Sequence, residues 1–157
     1  MINKVELLAP AGSKEALFAA VENGADAVYL GGKLFNARQQ ADNFDTEVLK
    51  EVLDYSHVRG VNIYLALNTL IYDNEIKQAL ELAAEAREAG IDGIIVQDIG
   101  LARALRRIMP DVPLHGSTQM TIYDVNGAKA LEDMGFKRVV TARELTLEEI
   151  SEIVQKT

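Results

Sequence analysis

Hydrophobic positions in this chain follow one repeated pattern: an amphipathic helical stretch, a glycine, then a short β-branched run. The clearest copies are Glu22-Asn-Gly-Ala-Asp-Ala-Val-Tyr-Leu30, Val58-Arg-Gly-Val-Asn-Ile-Tyr-Leu65, Glu88-Ala-Gly-Ile-Asp-Gly-Ile-Ile-Val96 and Asp133-Met-Gly-Phe-Lys-Arg-Val-Val140. Glycine just past a helix lets the chain turn through positive φ without strain, so each copy reads as a helix-to-strand joint. Working outward from the joints, the pattern predicts strands near residues 5–9, 26–31, 61–68, 92–97, 113–117 and 137–142, with helices between and after them. Helix starts are expected at Ser13, at Asp45, at Asp73 and at Thr146, where Glu149 completes a capping box. The fifth joint differs, because Pro110-Asp-Val-Pro113 ends a helix and extends the chain into the next strand.

Strict strand–helix alternation implies parallel strands and right-handed crossovers. An open doubly wound sheet buries both strand faces, whereas here polar residues recur on one face only. If alternation holds, Glu6 shares that face with Leu8, Tyr64 with Ala66 and Asn68, Ile95 with Gln97, His115 with Ser117, and Thr141 with Arg143. The opposite face is Val, Leu and Ile. That asymmetry fits an α/β fold of the incomplete TIM-type (β/α)8 barrel kind. Six strand–helix units with parallel strands form a single domain over residues 1–157, stopping before closure and leaving the first and sixth strands as open edges.

Composition narrows the function classes. With 48% apolar residues in 157, the chain reads as an ordinary globular domain; no apolar run approaches the roughly 20 residues of a membrane span. Glu6 interrupts the amino terminus too early for a signal peptide, so a cytoplasmic location without membrane contact is expected. The absence of cysteine removes disulfides, thiolate catalysis and cysteine-held clusters from this chain. A net charge of −8 disfavours a free-standing nucleic-acid binder, although Arg103, Arg106 and Arg107 form a local basic group. Those arginines also suit the negative end of a helix, the commoner reason for such a placement.

Candidate chemistry gathers at the strand ends. The longest connection follows Gly31-Gly32, where Arg38 can clamp a carboxylate or phosphate and Asn36 or Asn43 can orient it. The same loop can equally be held together by its own Asn and Asp side chains. Gly12 before Ser13 can bring backbone N–H groups to an anion, but plain helix capping accounts for it as well. His115 and Ser117 lie two apart on a strand, roughly 6.5 to 7 Å, too far for a nucleophile–base hydrogen bond. With Asn68, Gln97, Gln119 and Arg143 they can instead bind a polar ligand or a base edge, the alternative being that His115 is an interior histidine satisfied by its neighbours. His57 falls at a helix end, where that position explains it. No metal site is expected, since two separated histidines form no common zinc set. Glu6, inside the barrel, requires a cation, with Arg143 or a loop arginine as the expected partner.

Glu6-Leu-Leu-Ala-Pro-Ala-Gly12, Asn23 through Gly32, Asn36-Ala-Arg38, Asp42-Asn-Phe44, Leu114-His-Gly-Ser-Thr-Gln119 and Arg138-Val-Val-Thr-Ala-Arg-Glu144 together resemble the collagenase-like peptidase family, class U number thirty-two. The likeness runs through essentially the whole chain in order. It implies either the proteolysis for which the family is named or oxygen-independent hydroxylation: of a tRNA wobble uridine using prephenate, of a ribosomal RNA cytidine, or of the ubiquinone ring. It implies an iron–sulfur cluster and prephenate for full-length relatives only, the cluster on a cysteine-rich segment after the sixth unit, with no cofactor in this chain. Carried over residue by residue, it assigns the mouth to Asn36, Arg38, Asn43, His115 to Gln119, and Arg143 with Glu144, and it marks Glu6, Gly12 and Tyr29 as supporting residues. The resulting expectation is the amino-terminal part of an RNA-hydroxylating protein, inactive alone, with RNA or a small anion as ligand. A peptidase remains an alternative, as does a non-enzymatic half-barrel that binds a partner or a second copy through its open edges.

Overall fold

The computed structural model describes residues 5–32, 34–37, 44 and 46–157. Six strands form one parallel sheet in sequence order: β1 (Leu8–Ala11), β2 (Ala27–Gly31), β3 (Asn62–Leu67), β4 (Gly93–Val96), β5 (Leu114–Gly116) and β6 (Arg138–Val139). Among the described residues, six α-helices alternate with them: α1 (Lys14–Glu22), α2 (Thr46–His57), α3 (Ile76–Ala89), α4 (Ile99–Ile108), α5 (Val125–Asp133) and α6 (Leu147–Lys156). A sheet that keeps sequence order and carries its helices on one side curls into part of a TIM-type barrel.

The glycine joints behave as their position demands: Gly24, Gly60, Gly90 and Gly135 all have φ between 72° and 104°. The outer strand face, with Val28, Leu30, Ile63, Leu65, Ile94 and Leu114, packs on Leu17, Val52, Leu53, Leu101 and Leu105 of the helices. Ala79, Ala83 and Ala86 give α3 a small-residue face at helical spacing, buried in that same core. Inside the curl, Ala27, Tyr64 and Ile95 form a separate cluster with Leu8 and Tyr29. Among the described residues, no helix is long and apolar enough to cross a membrane.

Several expectations need correction. The first strand begins later than residue 5, because the Leu7 amide donates to the Asp26 carboxylate (2.9 Å) before the ladder with β2 starts at Leu8. Pro10, which lacks an N–H, is tolerated in β1 because that strand is a sheet edge. The sixth strand is shorter than 137–142: past Val140 the chain leaves the sheet, and the Ala142 amide donates to Ile122 O (2.9 Å). Thr141 faces outward beside Val139 and Ile153, not inward with Arg143, because the ladder sets Arg138 rather than Val139 beside His115 on the inner face. Asp73 does not cap α3; Glu75 holds that position, and its carboxylate accepts from the Tyr72 amide instead (2.9 Å). The expected Asp45 cap lies outside the described residues. Asp98 and Asp124 cap α4 and α5 by accepting from Leu101 N and Gly127 N.

Ser13 caps α1 through Ala16 N, and Thr146 with Glu149 forms the capping box of α6. Replacing Thr146 by Ala should lower stability by about 1 kcal/mol, the usual worth of such a cap, and thermal unfolding measures it. An unchanged midpoint would mean that α6 contributes nothing to the cooperative unit.

Candidate functional site

The carboxyl ends of the strands enclose a cavity of about 320 Å³. Its floor is Ala66 and Ile95, and its polar wall includes Asn36, Asn68, Ser117, Gln119 and Arg143, with Gly12 and Tyr29 on the β1–β2 side. Five side chains expected at the mouth are therefore brought together from four separate strand–helix connections.

The loop after β2 is shaped from within. Asn36 is only 2% exposed and its amide donates to Gly32 O. A Cβ on Gly31 would lie 2.5 Å from Asn36 Cγ, so the missing side chain at Gly31 makes the space for Asn36. The Phe44 amide closes the loop on Gly31 O at 3.1 Å. Phe35, just before Asn36, adopts φ 60°, and Thr121, just after the Thr118–Met120 turn, φ 54°; both are non-glycine residues in left-handed backbone, and neither lines the cavity itself. Such backbone persists only where surroundings hold it, and it concentrates at ligand sites.

Asn68, just past β3, ties this loop to β5. Its Oδ1 accepts from the Ala37 amide (3.1 Å), and its Nδ2 donates to Ser117 Oγ (3.4 Å). Ser117 is 3% exposed and also accepts from the Gln119 amide (3.2 Å) as cap of the short 3-10 turn Thr118–Met120. Arg143 stands exposed at the rim, with Glu144 exposed beside it.

Three described residues expected at the mouth, Gln97, His115 and Glu144, do not line this cavity. Gln97, half-buried just past β4, does not line it, and His115 lies one layer deeper. The His115 ring meets Tyr64 edge-on, with centroids 4.6 Å apart, in space left by Gly93. Burial, helped by the nearby Arg138 charge, pushes its pKa down to about 4, and its Nδ1 has no hydrogen-bond partner among the described residues. Arg38 and Asn43 lie outside the described residues.

Below His115 sits the ion pair of the barrel interior. Arg138 meets both Glu6 oxygens, at 2.5 and 3.0 Å, and Tyr64 Oη donates to the same carboxylate at 3.2 Å. The expected partners of Glu6, Arg143 or a loop arginine, are thus replaced by Arg138. The cause is register: Arg138 pairs with His115 in the β5–β6 ladder, and the curl carries that edge towards the segment before β1. Hydrogen bonding from Arg138 holds the Glu6 carboxyl below its usual value. Counting back by twos from Val140 on the inner face would have found Arg138. His57, placed at the end of α2, has an unforeseen partner in Asp92 (2.9 Å), which also accepts from Ile63 N. Among the described residues, no three His, Asp or Glu side chains converge as a metal set would require. An iron–sulfur cluster does not fit the residues present, since the chain has no cysteine to hold one.

The model of peptidase family U32 matches residues 12–157. The chain is 40% identical over 155 residues to the 23S rRNA 5-hydroxycytidine C2501 synthase of Escherichia coli strain K12, covering 99% of this chain and 23% of that protein. It is 36% identical over 153 residues to the tRNA hydroxylation protein P of Helicobacter pylori strain 26695, covering 97% of this chain and 36% of the relative. It therefore spans roughly a quarter to a third of the length of these curated relatives. The solved structure of the U32 peptidase Mk0906 superimposes with a TM-score of 0.74 at 16% identity, over 98% of this chain and 66% of that one, which shows the shared barrel fold. On the extent of the family match, the chain belongs to peptidase family U32.

Proposed function

We propose that the protein takes part in hydroxylating an RNA base, a tRNA uridine or a ribosomal RNA cytidine, and that the mouth cavity holds a polar ligand of that reaction. The observation that carries this reading is the 40% identity, over nearly the whole chain, to a protein named for 5-hydroxycytidine synthesis. The site is compatible in its chemistry: amide and hydroxyl groups from Asn36, Asn68, Ser117 and Gln119 suit a base edge or a small anion, and Arg143 supplies a cation at the rim. Arg38 and Asn43 are assigned to the same ligand, and prephenate is the small anion that the family resemblance suggests.

Proteolysis, for which the family is named, finds less support in this geometry. Ser117 Oγ is engaged by Asn68 and the Gln119 amide, while His115 turns to Tyr64, so the two do not pair as nucleophile and base.

The test is genetic and chemical. Deleting the gene should remove one 5-hydroxypyrimidine from tRNA or ribosomal RNA by nucleoside mass spectrometry. Complementation by the wild-type gene should restore it, and complementation by Arg143→Ala should restore clearly less. A full complement of modified nucleosides in the deletion strain would refute the proposal.

A further inference from the structure

The hydrogen bonds around Ser117 have a direction, and that direction selects a ligand. A serine hydroxyl offers one donor and two acceptor positions. The Ala37 N–H can only donate, so the Asn68 atom facing it is the carbonyl oxygen, and the Asn68 NH2 must then face Ser117. Ser117 Oγ accepts that NH2 and also the Gln119 N–H, which occupies both of its acceptor positions. What remains is its proton. Among the described residues no hydrogen bond uses it, although Ser117 is 3% exposed and lines the mouth cavity. A buried donor left without a partner costs free energy, so the site favours an occupant that accepts.

From this we infer that Ser117 is a specificity-determining donor, and that the group bound beside it is a hydrogen-bond acceptor oxygen, a carboxylate or a pyrimidine carbonyl. Asn68 is a positioning residue, since it orients the Ser117 hydroxyl without needing to touch the ligand. It also couples the pocket to the loop after β2, because its other end holds Ala37. Arg143 at the rim reinforces the preference for acceptors. The inference rests on the mouth being the ligand site and adds the polarity of one subsite.

Titration of the full ¹⁵N-labelled chain, followed by amide shifts, tests it with three probes: benzoate for the carboxylate source, uridine for the carbonyl source, and benzylamine as a donor-only cation. At least one acceptor probe should move the Ala37, Gly12 and Gln119 amides, and whichever binds identifies the source. Ser117→Ala should weaken that binding about tenfold, and Ser117→Thr, which keeps the hydroxyl, should largely retain it. Asn68→Asp keeps an acceptor for Ala37 but reverses the contact to Ser117 and consumes its proton, so uridine binding should fall while the Ala37 amide signal stays in place. Unchanged signals for Tyr64 and His115 report that each variant is folded. If neither acceptor probe shifts the mouth amides, the mouth reading fails and this inference with it. If a probe binds there with equal affinity to wild type and Ser117→Ala, or if benzylamine binding depends on Ser117, the polarity assignment alone is overturned.

Discussion

Acidification from pH 7 to pH 4 should cost the protein roughly 3 kcal/mol through His115 alone. The imidazole is 5% exposed, packed against Tyr64, and its folded pKa is pushed down to about 4 by burial. In the unfolded chain the ring takes up its proton near its ordinary 6.5. The folded state therefore binds fewer protons throughout that interval. Its stability contribution is fully present above pH 6.5 and is lost as pH falls towards 4. Urea midpoints measured at half-unit steps should drop steeply across this window in the wild type. His115→Phe keeps a ring beside Tyr64 and has nothing to protonate, so its curve should be much flatter between pH 6.5 and 4. Parallel curves for the two proteins would show that His115 is charged in the folded state, contrary to its setting.

The second large effect is expected at Arg138. Changing Arg138 to Met leaves the Glu6 carboxylate inside the curl with Tyr64 as its hydrogen-bond donor among the described residues. About a third of each side chain reaches solvent, so the loss should fall between that of a surface pair and a fully buried one, about 2 kcal/mol. A double variant with Glu6→Gln should recover part of it, because the stranded charge is then gone. The pH dependence carries a separate signature. Glu6 has its folded pKa lowered by Arg138, so its contribution is present above the usual carboxylate value of 4.5 and disappears as pH falls through the lower folded value. In Arg138→Met that acid loss should vanish. Amide exchange should also rise in β1 and β6, the two edges that the pair joins across the interior. Unaltered exchange at both edges would mean that the curl is held by the sheet and helices alone.

The mouth was partly legible before any coordinates. Strand-end position and polarity single out Asn68, Ser117, Gln119 and Arg143, and the long connection after β2 singles out Asn36; these five line one cavity. His115 was named on the same grounds and sits a layer below. Alternation places a side chain on a face but not at a height, and height depends on how neighbouring strands are staggered. Arg143 was assigned by continuing strand alternation through residue 143, whereas it reaches the rim because the chain has already left the sheet. That residue was found for a reason the structure does not share.

What the amino-acid order determined by itself is whatever neighbours within a turn can enforce. Gly24, Gly60, Gly90 and Gly135 turn through positive φ because backbone sterics demand it locally, and Thr146 meets Glu149 because they lie one helical turn apart. Strand–helix alternation then implies parallel strands, and the polar residues confined to one strand face favour a barrel-type sheet over an open one. Only the tertiary structure decided that Glu6 pairs with Arg138 across 132 positions, that Asn68 reaches Ser117 across 49, and that His115 falls beneath the cavity. Those contacts depend on strand register and on the curvature of the whole sheet, which are properties of all six strands together and are written in no local stretch of sequence.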